Sequence, residues 1–192
     1  MRVLLLAVLA AGLFATLPGT LYAADVARLE WGGFVVEDDT SDGWANYKYL
    51  ASDDGRSITM TFAPIEAKAD GATVEAKARL RGHFDLIQPR IDSFTNYVVS
   101  MEGHVIKSGG AMTRLVLTVG SAENILEWTT GAVVSEKFNR KMEFALPAEG
   151  RLPNPFTVSI EVYARKDGPA DAAYVSIDSL TISAANAQVV SN

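Results

Sequence analysis

The densest run of chemically capable side chains lies between Glu37 and Gly43. Glu37-Asp38-Asp39-Thr40-Ser41-Asp42-Gly43 packs four carboxylates into six positions and ends on a glycine. Asp38, Thr40 and Asp42 offer oxygen ligands at alternate positions, and Gly43 supplies the bend, as in the first half of an EF-hand loop. Hard cations are held by oxygens at this spacing, so Asp38, Thr40 and Asp42 predict a Ca2+ site. The bidentate glutamate that closes such a loop is replaced by Tyr49. A calcium ion here must therefore draw its remaining oxygens from elsewhere in the fold. The competing reading is a solvated acidic turn between two strands.

A second chemistry is offered by flat rings. Sugars stack their apolar faces on aromatic side chains, and exposed rings on a sheet mark a binding surface. Trp44 stands beside Tyr47 and Tyr49, Trp128 lies near the centre of an expected strand, and Tyr163 falls between Glu161 and Arg165 on the polar side of an alternating run. Trp44, Tyr47, Trp128 and Tyr163 are the ring candidates. Trp31, within Leu29-Glu30-Trp31-Gly32-Gly33, reads as core.

Catalytic motifs are missing. The two histidines, His83 and His104, each follow a glycine, and no Gly-x-Ser-x-Gly or His-Glu-x-x-His pattern accompanies them. A carboxylate pair for glycoside hydrolysis is assembled in space, so sequence cannot reveal it. Glu66, Glu75, Asp85, Glu102 and Glu161 are all available, and nothing singles out two of them.

The elements that must position these groups are strands. Apolar residues recur with period two at Ile58-Met60-Phe62, Val74-Ala76-Ala78-Leu80, Tyr97-Val99-Met101, Leu115-Leu117-Val119, Met142-Phe144-Leu146 and Phe156-Val158-Ile160-Val162. A last strand is expected from Tyr174 to Ile182, and shorter ones at Ala27–Val36, Tyr47–Ala51 and Ile125–Val134. Ser135–Lys141 is the nearest approach to a helical segment. Asp42-Gly43, Asp54-Gly55, Asp70-Gly71, Gly109-Gly110, Glu149-Gly150 and Asp167-Gly168 supply the turns. Nine or ten strands at this spacing predict an all-β fold, an antiparallel two-sheet sandwich of jelly-roll type, over residues 24–183. Residues 184–192 read as a flexible tail.

Met1-Arg2, an apolar run to Leu17, Pro18-Gly19 and Tyr22-Ala23-Ala24 have the three parts of a secretory signal peptide, with cleavage expected after Ala23. The run is shorter than the roughly 20 residues of a spanning helix, so no membrane insertion is expected after cleavage. Cleavage removes Arg2 and no acid, so the chain's 17 bases and 23 acids become 16 and 23, a net charge of −7. Such a balance argues against nucleic acid as a partner. With no cysteine, stability must come from burial alone.

The ending Ala173-Tyr174-Val175-Ser176-Ile177-Asp178-Ser179-Leu180-Thr181-Ile182 resembles the last strand of jelly-roll carbohydrate-binding modules. That resemblance implies a non-catalytic sugar-binding domain, often with a structural calcium. The paired Gln-Ile/Val-His and Tyr-Phe-Lys-x-Gly motifs of jelly-roll polysaccharide lyases are absent. The sequence thus points to a secreted or periplasmic β-sandwich that binds extracellular glycan or surface and matrix proteins. A carbohydrate-active hydrolase or lyase with a site on the concave sheet, and a purely structural surface protein, are the alternatives.

Overall fold

The computed structural model describes residues 29–40, 47–88, 94–120, 122–128, 133–146 and 150–186, without the side chains of residues 122, 128, 185 and 186. Every regular element among them is a strand: β1 (Glu30–Asp39), β2 (Lys48–Ala51), β3 (Ser57–Ala69), β4 (Glu75–Ile87), β5 (Phe94–Lys107), β6 (Met112–Val119), β7 (Ala122–Trp128), β8 (Val134–Ala145), β9 (Phe156–Arg165) and β10 (Ala173–Asn186). The expected signal segment at residues 1–23, Ser41–Asn46 and the last six residues lie outside the described residues.

The topology follows from one long hairpin rolled up. Val119 pairs with Ala122 at its tip, and β6–β7, β5–β8, β4–β9 and β3–β10 pair in nested antiparallel fashion behind it. Rolling adds two further ladders, β6–β9 and β5–β10. The result is a sheet β1-β4-β9-β6-β7 facing a sheet β2-β3-β10-β5-β8. Eight of these strands make a jelly roll, the expected fold, and β1 and β2 extend it by one strand on each sheet.

Alternation decides what is inside. On β9, Phe156, Val158, Ile160, Val162 and Ala164 are buried, while Thr157, Ser159, Glu161 and Tyr163 face outward. Ala173, Val175, Ile177, Leu180 and Ile182 do the same for β10. Each Val, Leu or Ile removed from water in this way stabilises by about 1.5–3 kcal/mol. The phase changes once in β3, from Ile58-Met60-Phe62 to Ile65-Ala67-Ala69. The change falls at Ala63-Pro64, opposite an irregularity between Ile177 and Ser179. A proline, having no N–H for the ladder, is tolerated at such an interruption.

Two glycines let edge strands close over the core. A Cβ on Gly82 of β4 would lie 2.5 Å from Phe34 Cζ of β1, and one on Gly103 of β5 would lie 2.6 Å from Phe138 Cζ of β8. Each glycine therefore makes room for a buried phenylalanine from its outer neighbour. Trp31 fills the gap between the sheets less completely than a core residue. It meets Phe84 and Phe156 edge-on and donates from Nε1 to the Gly55 carbonyl at 2.7 Å. At the hairpin tip, buried Tyr97 donates to the Val119 carbonyl at 2.8 Å, and desolvation pushes its phenol above the ordinary range.

Three sequence boundaries differ from expectation. Ile125–Val134 is not one strand: β7 ends at Trp128 and β8 begins at Val134. Ser135–Lys141, the most helix-like segment by its polarity, is strand throughout. Of the residues of β8, Phe138 alone is buried. Twelve residue pairs with β5, from Asn96↔Ala145 to Lys107↔Val134, hold it in place, and these backbone partners override a weak side-chain pattern. β10 runs on past residue 183 to Asn186, paired with Phe94, and the Ala184 amide donates to the Arg56 carbonyl.

The register of β9 makes a sharp prediction. Ile160→Asp places an unpaired charge at a fully buried position and should cost more than about 4 kcal/mol or abolish folding. Ser159→Asp, on the wet face opposite Arg81, should stay within about 0.5 kcal/mol. Denaturant unfolding checks both, and similar losses would mean that the register is wrong.

Candidate functional site

The outward residues of β4, β9 and β6 form one continuous polar face, because antiparallel pairing brings their wet sides together. Lys77 pairs in register with Tyr163, Arg79 with Glu161, and Tyr163 in turn with Arg114. Around Tyr163 the face is hollowed. Glu75 and Lys77 of β4, Glu161 of β9, and Met112, Arg114 and Val116 of β6 wall a depression of about 320 Å³. Partial burial raises the Tyr163 phenol pKa, a hydrogen bond to Glu75 adds to this, and Arg165 works against it.

Ion pairs run from the hollow across the sheet. Lys77 Nζ lies 3.1 Å from Glu161, Arg79 Nε 3.7 Å from the other Glu161 oxygen, and the Arg79 guanidinium 3.3 Å from Asp38 of β1. Beyond them Glu37 takes Arg81 at 3.0 Å and His83 Nδ1 at 2.8 Å. Exposed pairs of this kind contribute about 0–1 kcal/mol each to stability. Their larger effect is geometric, since a ring in a hollow is surrounded by donors and acceptors held in fixed places. Among the described residues no ion pair engages Arg114.

The sequence-predicted residues do not gather into one site. Tyr163 occupies the hollow. Tyr47 stands apart from the hollow, where it meets Phe34 of β1 edge-on at 5.5 Å, donates to the Phe34 carbonyl at 3.3 Å and lies 6.4 Å from the nearly parallel ring of Tyr49. It is packed against the core and serves as a strut between β1 and β2 more than as a platform. Trp44 and the Trp128 side chain lie outside the described residues. Arg114 is the participant that sequence reasoning missed. Its place on the wet side of β6 was readable from alternation, whereas its meeting with β4 and β9 was not.

Asp38 and Thr40 are engaged by a single neighbour. Arg79 reaches the Asp38 carboxylate, and its backbone amide donates to Thr40 Oγ1 at 2.9 Å. Asp42 lies outside the described residues, and no group of three or more His, Asp or Glu among those described is placed to hold a metal. The Arg79 guanidinium thus neutralises one of the three expected ligands, and the Arg79 backbone amide occupies a second. Thermal melts at matched ionic strength should give the same midpoint in calcium and in magnesium. A calcium-specific rise of a few degrees, lost in Asp42→Asn, would contradict this and establish the loop as a metal site.

No family model and no curated protein matches the chain. Among solved structures it is similar to TmCBM61 in complex with β-1,4-galactotriose, at 14% identity over 72% of this chain and 88% of that one, with a TM-score of 0.35. It is also similar to the CBM36-1 domain of a multidomain xylanase from the hindgut metagenome of Trinervitermes trinervoides, at 10% identity over 83% and 98% of the two chains and a TM-score of 0.28. A third likeness is to the enzymatically active domain of bacteriophage CBA120 tailspike protein 4, at 6% identity over 82% of this chain and 19% of that one, with a TM-score of 0.34. Likenesses this distant carry nothing about ligand or role, which must rest on this chain's own residues.

Proposed function

We propose that this chain is an exported, non-catalytic glycan-binding module that holds sugar in the Tyr163 hollow. The observation that carries the reading is the setting of Tyr163: a ring in a depression of about 320 Å³, rimmed by two carboxylates and two cations. A pyranose has apolar C–H faces and a belt of hydroxyls. The ring suits the first, and Glu75, Lys77, Arg114 and Glu161 suit the second. Glu161 is shared between Lys77 and Arg79, and Glu75 stands against the Tyr163 phenol, which favours recognition over a free acid and base pair. Export is supported by the apolar leader at residues 1–23.

Capture of protein partners by strand addition finds less support. The long edge strand β8 carries Glu136, Lys137, Arg140, Lys141 and Glu143, and charges along an edge oppose pairing with another chain.

The test uses protein recovered from the producing cell. Its intact mass should begin at Ala24 or Asp25. In affinity electrophoresis, gels containing hydroxyethylcellulose, glucomannan or arabinoxylan should retard it in at least one case. Tyr163→Ala should weaken that retention by about tenfold, the effect of one lost central ring, with the melting midpoint unchanged. Free migration through all three gels, or a variant retained like the wild type, would contradict the reading.

A further inference from the structure

We propose that the opposite sheet carries a second, independent sugar pocket, so that one molecule bridges two glycan chains. The ligand class rests on the glycan reading above, but the pocket is built from other residues. Tyr174 lies near the start of β10, the central strand of its sheet, and points to the wet side. Register places Lys68 of β3 and Ile106 of β5 directly beside it, and Glu66 and His104 beside Ser176, two residues further on.

These neighbours build a shaped site around the ring. The Tyr174 hydroxyl donates to Glu66 at 2.9 Å, and the His104 ring meets the Tyr174 ring edge-on at 5.9 Å. Ile106, 37% exposed, contributes an apolar wall. Together they enclose about 440 Å³, within the range of small-molecule sites. Partial burial of the phenol supports the same picture, since it raises the Tyr174 pKa above its ordinary value.

Charge selects the class of ligand. Lys68 is paired with Asp70 at 2.8 Å, and Glu66 already accepts from Tyr174. The rim therefore presents compensated groups that can exchange hydrogen bonds with hydroxyls, and no unpaired cation to draw an anion. A neutral pyranose fits this combination of apolar wall, ring and paired polar rim.

Position then gives bivalency. The Tyr163 hollow is built by β4, β6 and β9, and the Tyr174 pocket by β3, β5 and β10, so the two open on opposite outer faces. The buried core, about 10 Å thick, lies between them. A short saccharide seated in one cannot reach the other, and a longer glycan array gains avidity from holding both.

The test is calorimetric titration of the full secreted chain with cellohexaose, mannohexaose and xylohexaose. Two equivalents of the best of these should bind per chain. Tyr174→Ala should leave one equivalent, Tyr163→Ala should leave one, and the double variant none. His104→Ala provides a second probe of the same pocket should Tyr174→Ala fail to fold, and it should weaken one of the two binding events. A single equivalent that Tyr163→Ala abolishes would overturn the second pocket while leaving the glycan reading intact. Two equivalents that persist in Tyr174→Ala would also overturn it. No binding of any hexasaccharide would overturn both.

Discussion

The shared core that buries Val158, Ile160 and Val162 of β9 together with Val175, Ile177 and Leu180 of β10 is what the rest of the structure depends on. These two consecutive strands are each the middle strand of their sheet. With no disulfide available, burial must outweigh the ordering of all ten strands. Because the side-chain period of a strand is two, burying one set of residues forces the other set outward. Tyr163 and Tyr174 are outward for this reason, and they sit mid-sheet because their strands do.

Flanking strands then determine what each tyrosine meets. β4 and β6 bring Glu75, Lys77 and Arg114 to Tyr163, while β3 and β5 bring Glu66, Lys68, His104 and Ile106 to Tyr174. Neither setting adds much to stability, because exposed ion pairs contribute little. A polar face of this kind can therefore change to suit a ligand without endangering the fold. The edges obey a different demand, since their unpaired backbone must resist other chains. β8 meets it with charge. β2, only four residues long, is brief enough to offer little template, although Leu50 is 77% exposed.

Much of this was legible in the sequence, since alternation is a local signal. The buried and wet faces of β4, β6 and β9 could be read residue by residue, and so could the outward position of Tyr163. The first half of β8 was harder, because Ser135–Lys141 is polar on both faces apart from Phe138, while Met142 and Phe144 mark its second half. What makes it a strand is its pairing with β5, about forty residues away in the chain, and the absence of a side chain at Gly103. The Gly82-His83 and Gly103-His104 pairs were visible, but their meaning depends on Phe34 and Phe138, which reach those glycines through tertiary pairing. In the acidic segment, the calcium-like spacing of Asp38 and Thr40 was local and readable, whereas their contacts with Arg79 come from the pairing of β1 with β4. Tyr174 was readable as part of a last strand, whereas its pocket required β3 and β5 to arrive on either side.

The central claim is that recognition takes place in the hollowed sheet face around Tyr163 and not at the ends of the sandwich. Amide chemical-shift mapping with the best-bound hexasaccharide tests it most directly. Shifts at Lys77, Arg114, Glu161 and Tyr163, the wet positions of three adjacent strands, are the predicted result, beside a second set around Tyr174 on the other sheet. Shifts confined to the connecting loops, with those four amides unmoved at saturation, would contradict it.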